Sequence, residues 1–222
     1  MSRLRWHATC WSKHNIMKLL TNGCSFTQGI YDNFEEQDAW PYQLGKLLDW
    51  DVVNLAEGGG SNARIFRSTM EYLLDNTPDY AAIVWTEHAR YELPYHTGDI
   101  IRVMHSMALP EQDETVDDIP EIREFWYKHC HNELASQQRT VYYISCIRMI
   151  LEGKSIPYTM SSSFDIDINK PFGNWLCPGS SMKTELAHLP KADIHGHPGI
   201  EGQTLWANLM LESINETLRT TR

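Results

Sequence analysis

The sequence predicts an α/β fold: a parallel β-sheet with helices covering both faces. Three observations carry that prediction. Short apolar runs alternate along the chain with segments of helical spacing, an order that favours right-handed crossovers and parallel strands. The run "DYAAIVWT" at 79–86 is almost unbroken in apolar character, as a strand buried on both faces requires. The loops richest in polar and glycine residues follow the strands, where such sheets bind ligands.

Each element has its own warrant. Residues 17–20 make a short, mostly apolar run closed by Asn22-Gly23, a strand ending in a turn. "DAWPYQLGKLLD", 38–49, opens on an aspartate cap with a proline near the helix start, and Trp40, Leu44, Leu47 and Leu48 keep helical spacing. "DVVNLA", 51–56, reads as the second strand. "EGGGSN" is a loop, and Ser61 or Asn62 caps a helix over 63–76 whose apolar face is Ile65, Phe66, Met70, Leu73 and Leu74. After the third strand the rhythm breaks. Residues 94–150 read as an insertion, with the acidic, proline-bounded "LPEQDETVDDIP" as an exposed loop or lid and one long helix over about 120–152. "IPYTMSSSF" is the fourth strand, 165–196 is loop, and the last helix starts near Gly202.

Bulk properties narrow the function classes. The 222 residues suit one domain with a sizeable core, taken here as 17–222, with 1–16 as an N-terminal extension or an upstream start. A formal net charge of −10 and no dense basic patch argue against nucleic acid and anionic membranes as partners. The apolar runs are too short to span a bilayer, and the N-terminal segment lacks the apolar stretch of a secretory signal. Five cysteines, odd in number and irregular in spacing, without a CxxC, point to reduced thiols in the cytoplasm and away from a structural zinc site.

The chemistry-bearing residues lie in four loops at one sheet edge: "NGCSFTQG", "EGGGSNAR", "TEHARYE" and "DIHGHPG". Ser25 ends the first strand and opens toward a helix, where a hydroxyl is lifted clear of the sheet. A downstream histidine can take its proton, and acyl transfer then needs donors for the oxyanion. Glycines 58–60 allow a backbone N–H to approach closely, and the Asn62 amide can add another. Other readings stand beside these. Ser25 can be a helix cap. Cys24 can be the nucleophile, although strand alternation sends it toward the interior. The glycine run can be a plain turn, since no Gly-Lys-Ser/Thr follows it. Asp193, His195 and His197 have a spacing that zinc accepts. Arg90 can pair with Glu87 or Glu92.

These blocks resemble the SGNH (GDSL-like) hydrolases, a superfamily of esterases, lipases and carbohydrate deacetylases. "GCSFTQG" is similar to the first block, with Ser25 at the nucleophile position. "NLAEGGGSN" is similar to the second, with Gly59 five residues after Asn54 as an N–H donor. "DIHGHPGIEGQTLWA" is similar to the last, with His197 as base and Asp193 before it. The resemblance implies a flavodoxin-like three-layer α/β/α sandwich and a serine esterase acting on short acyl esters, for example O-acetyl groups on a glycan. It implies no metal or organic cofactor. It assigns the oxyanion to Ser25 and Gly59, with Asn62 or His88 as a side-chain donor, and substrate contacts to Thr86, Arg90 and His195. "GCSFT", "GGGSN" and "HP" together resemble phage-encoded members, which adds virion association as a location. Three positions depart from the usual blocks. Cys24 stands where aspartate is usual, "WTEHARYE" lacks the third-block asparagine, and Asp193 lies four residues before His197 instead of three. The competing expectation is a non-catalytic protein that uses the same cleft to hold a glycan.

Overall fold

The computed structural model describes residues 16–31, 34–94, 100–103, 120–165, 181–193 and 195–220. Within them, β1 (Lys18–Asn22) leads into a four-residue helix α1 (Ser25–Gln28), and a 3-10 turn precedes α2 (Trp40–Leu48). Then follow β2 (Asp51–Asn54), α3 (Asn62–Asp75), β3 (Tyr80–Trp85), a hairpin of β4 (Tyr91–Pro94) and β5 (Ile100–Val103), α4 (Pro120–His129) and α5 (Glu133–Gly153). The chain ends with β6 (Tyr158–Ser162), α6 (Met182–Glu185) and α7 (Ile200–Thr220). The main sheet is parallel, in the order β2-β1-β3-β6. It is the expected flavodoxin-like three-layer sandwich.

Alternation along β1 and β3 divides the core into two halves. Leu19, Tyr80, Ala82 and Val84 pack with Trp40 and Leu44 of α2 and Trp206, Met210 and Ile214 of α7. Leu20, Ala81, Ile83 and Trp85 pack on the other face with Ile65 and Leu73 of α3 and Ile144, Ile147 and Leu151 of α5. All six residues of β3 are buried, which accounts for the unbroken apolar run. The chain leaves β1 for β2 on one side and reaches β3 on the other. The switch of direction opens a crevice beyond the carboxyl ends of these strands.

Several local readings change. Asp38 does not cap α2. Ala39 holds the cap position, Pro41 enters the first turn, and Asp38 closes a capping box with Glu35 in the preceding 3-10 turn. Ser61, rather than Asn62, caps α3, accepting from Arg64 N at 3.1 Å. The long helix over 120–152 is two helices, interrupted at Cys130–Asn132, where Asn132 caps α5 by accepting from Ala135 N at 2.9 Å. Part of the segment read as irregular is the β4–β5 hairpin, which packs Tyr91, Ile101 and Val103 against Trp126 and Tyr127. Met182–Glu185 is helical where a loop was expected. The acidic loop at 109–119 and the first fifteen residues lie outside the described residues. No described helix is long and apolar enough to cross a membrane.

Candidate active site

Ser25 stands where β1 gives way to α1. The turn depends on Gly23, whose hypothetical Cβ would lie 2.3 Å from Thr27 Oγ1 and 3.0 Å from Val84 O. Only a residue without a side chain lets the chain pass this close to β3. Asn22 secures the strand end. Its Oδ1 accepts from Gly23 N at 2.8 Å, and its amide donates to Ile65 O and Thr69 Oγ1 of α3. Gln203 of α7 bridges Phe26 O and Trp40 N, so the Ser25 turn is tied to both helices beneath it. Cys24 is fully buried, with Sγ 3.4 Å from Ser163 Oγ. It faces the core, as strand alternation predicts.

His197 arrives from a tight loop before α7. An isolated antiparallel bridge pairs Lys191 with Pro198, Ala192 N donates to His197 O at 2.8 Å, and Gly196 takes φ 81°. The positive φ folds the chain back, so a spacing of four residues still brings Asp193 onto the imidazole. Asp193 Oδ2 lies 2.5 Å from His197 Nδ1, and Oδ1 accepts from the backbone N–H of His195 at 2.9 Å and of His197 at 3.2 Å. Burial works against the Asp193 carboxylate, yet these hydrogen bonds outweigh it and hold its carboxyl below the usual range. A carboxylate at Nδ1 fixes the proton there. Nε2 is therefore left as the acceptor, and it lies 2.9 Å from Ser25 Oγ.

Two aromatic side chains that sequence reasoning missed hold the imidazole. Tyr31 stacks on His197 with ring centroids 4.4 Å apart, and Phe26 meets its edge at 5.5 Å. Burial, reinforced by Cys24 and Asp193, pushes the Tyr31 phenol well above its ordinary value, so it stays neutral and donates to Ser25 O at 2.8 Å. Nothing in the spacing marks Tyr31, because it lies in a loop with no periodicity.

The glycine loop after β2 is pinned on several sides. Glu57 accepts from both Arg64 and Arg102, Arg102 also donates to Gly58 O at 2.8 Å, and Gln28 Oε1 accepts from Gly58 N at 2.7 Å. Gly59 takes φ 69°, a conformation that favours glycine. The N–H groups of Ser25 and Gly59 have no hydrogen-bond acceptor among the described residues, and both residues line a cleft of ≈ 500 Å³ with His197, Arg90 and Phe164. A cleft of the same volume beside α2 and β2 carries Glu35, Glu36, Asp49 and Asp51 without a nucleophile–base pair.

Three expected contacts are not made. Asn62 is buried, and its amide is fully engaged: Nδ2 donates to Thr86 O and Thr140 Oγ1, and Oδ1 accepts from Thr86 N at 2.8 Å. With both amide protons spent, it has none for an oxyanion. It ties α3 to the end of β3 instead. Asn62→Ala leaves the backbone polar groups of Thr86 without these partners and is expected to cost about 2–4 kcal/mol of stability, read as a lower urea midpoint. Thr86 is itself fully buried and does not reach the cleft. His88 points its Nε2 to Glu133 at the start of α5 and does not line the cleft. Arg90 and His195 do line it. Among the described residues no group of three or more His, Cys, Asp and Glu side chains is placed to hold a metal.

Solved structures share this architecture. TesA aligns with a TM-score of 0.54 at 11% identity, covering 90% of this chain and 99% of its own. The psychrotrophic esterase EstA from Pseudoalteromonas sp., whose structure is inhibited by monoethylphosphonate, aligns with a TM-score of 0.53 at 9% identity, covering 91% and 98%. A member of the lipolytic protein G-D-S-L family from Veillonella parvula aligns at 0.47 and 11% identity, over 88% and 97%. At such identities the likeness is one of fold alone, a fold shared with TesA and EstA. No curated protein matches the sequence. One sequence family does, over residues 20–199, and the chain thereby belongs to the family of unknown function DUF6071.

Proposed function

We propose that the protein is a serine ester hydrolase that cleaves short acyl esters. The observation that carries this reading is the continuous chain Ser25 Oγ, His197 Nε2, His197 Nδ1, Asp193 Oδ2, with separations of 2.9 and 2.5 Å at its two hydrogen bonds. A helix cap does not explain it. Cys24 holds the cap position of α1, and no side chain there accepts a capping bond.

The steps follow from that chain. Ser25 Oγ attacks the ester carbonyl carbon as His197 Nε2 takes the hydroxyl proton. The oxyanion forms beside the N–H groups of Ser25 and Gly59, which have no acceptor among the described residues and replace solvent with fixed donors. His197 returns the proton to the departing alcohol, leaving an acyl group on Ser25. Water then gives a proton to His197 and attacks the acyl carbon, releasing the acid and restoring the serine. Phe26, Phe164, Met182 and Leu186 give the cleft apolar walls for an acyl chain. The resemblance in the three matching blocks points to small acyl groups such as O-acetyl on a glycan.

A fluorophosphonate tests the nucleophile without knowledge of the substrate. The expected result is one stoichiometric adduct on the peptide carrying Ser25, abolished in Ser25→Ala. A folded protein that gives no adduct there supports the second reading, a glycan-binding protein without catalysis. The missing side-chain amide donor after β3 is what favours that reading.

A further inference from the structure

We propose that Arg90 recognises an oxyanionic group, carboxylate or phosphate, on the substrate, so that the protein hydrolyses anionic esters in preference to neutral ones. This rests on the esterase reading and narrows its substrate class.

Arg90 lines the same cleft as Ser25 and His197, on the loop after β3. Its side chain is only 9% exposed. Nε and Nη1 are both sealed from solvent and have no hydrogen-bond partner among the described residues. The nearest carboxylate oxygen, Glu87 Oε2, is 3.9 Å from Nε, too far for a hydrogen bond. The guanidinium is nonetheless held in place, 5.0 Å from the centroid of the Phe164 ring. Buried guanidinium groups in proteins are paired, because a desolvated charge without a partner is strongly unfavourable. A fixed planar fork with unused N–H groups at the edge of a reaction cleft matches a carboxylate or phosphate, which accept two parallel bonds.

The other charges around the cleft agree. Lys183 and Lys191 also line it, and among the described residues no carboxylate does. That is a local inversion in a chain of net charge −10. Lys191 donates one of its three N–H groups to the Leu186 carbonyl, and Lys183 lies within range of Asp165, whose carboxyl is lowered chiefly by hydrogen bonds from Ser181 and Thr184 and then by this lysine. Of these three cations, Arg90 is the one held as a planar fork, with Nε and Nη1 buried and without a hydrogen-bond partner among the described residues. Asp193 does not neutralise it, since its carboxylate is engaged by His197 and by two backbone N–H groups.

The test compares esters that differ in one charge. 4-Acetoxybenzoate and its methyl ester place the charge on the alcohol side. The mono-4-nitrophenyl ester of terephthalate and its methyl ester place it on the acyl side. Each kcat/KM is divided by the spontaneous hydrolysis rate of that ester. Wild type is expected to favour the anionic member of one pair by about tenfold or more. Arg90→Met brings that ratio close to one, and Arg90→Lys restores part of it. Inorganic phosphate competing with the anionic member alone identifies phosphate as an equal ligand; competition by benzoate alone identifies carboxylate.

A wild type without preference in either pair overturns the proposal, as does an equal slowing of both members in Arg90→Met. The esterase reading has a separate readout. If Ser25→Ala hydrolyses these esters as fast as wild type, that reading fails. The anion site is then judged by calorimetric titration of benzoate and phosphate into Ser25→Ala. Binding weakened about tenfold or more by adding Arg90→Met upholds the site, and unchanged binding overturns it.

Discussion

Ser25→Ala is expected to lower kcat on an activated acetate ester by about a thousandfold or more, with a urea midpoint equal to that of wild type. The size of the loss follows from the role. Without Oγ there is no covalent intermediate, and what survives is the smaller acceleration from oxyanion donors and binding. The unchanged stability follows from the surroundings. The Ser25 hydroxyl bonds to His197 Nε2 and does not cap α1, so its removal leaves no buried donor or acceptor stranded. Surface-like substitutions of this kind fall within about 0.5 kcal/mol. Cys24 cannot take over. Its sulfur is buried against Ser163 behind the turn, and reaching the cleft would require the strand end to flip. Equal rates in wild type and variant sink the nucleophile assignment, and a lost rate accompanied by a collapsed midpoint shows a folding defect instead.

The parts of this site that were legible in the sequence are those set by local backbone demands. A serine three residues past a strand end, a glycine that must take positive φ, and a His-Pro before a helix are written into short windows, and the structure brings Ser25, Gly59 and His197 to one cleft. Asp193 was legible as a residue but not as geometry, because its reach depends on the Gly196 turn and the Lys191–Pro198 bridge. Asn62 misled for a physical reason. An amide next to a glycine loop resembles an oxyanion donor, yet a buried amide must satisfy both of its ends, and the Thr86 backbone one strand away does so. Tyr31 carried no periodic signal at all. The fold shows the same division. The four sheet strands follow from apolar runs, whereas the break at Cys130–Asn132 was masked by continuous helical composition on both sides, although the Asn132-Glu133 cap was there to read.

In the proposed mechanism the N–H groups of Ser25 and Gly59 take the oxyanion without the usual asparagine after β3. Donors fixed before the reaction begins are worth more than donors that must reorganise. Here the glycine loop is braced by Glu57, Arg64, Arg102 and Gln28, so the Gly59 N–H is held by contacts from α1, α3 and β5 together. On that mechanism the absent side-chain donor leaves the two backbone donors, Ser25 N–H and Gly59 N–H, in place.

Asp193→Asn is the second large effect, with an expected fall in kcat of about 10³–10⁴-fold on the same ester. The carboxylate sets the His197 tautomer by accepting from Nδ1, which leaves Nε2 free to accept from Ser25. An amide in its place can donate to Nδ1 through its NH₂, which moves the ring proton to Nε2 and removes the base. It also withdraws the negative charge that stabilises the imidazolium formed during attack. Stability follows a different curve, and its sign is set by the direction of the shift. The folded-state pKa of Asp193 lies below its unfolded value, with burial opposed and outweighed by the His197 and His195 hydrogen bonds. Its contribution is therefore fully present above the unfolded value of about 3.9 and disappears as the pH falls through the folded value. Wild type is expected to exceed Asp193→Asn in urea midpoint at neutral pH, with a gap that closes only below about pH 4. A variant within tenfold of wild-type kcat shows that His197 is oriented without Asp193, and a gap that persists unchanged at pH 2 shows that the carboxylate's charge does not support the fold.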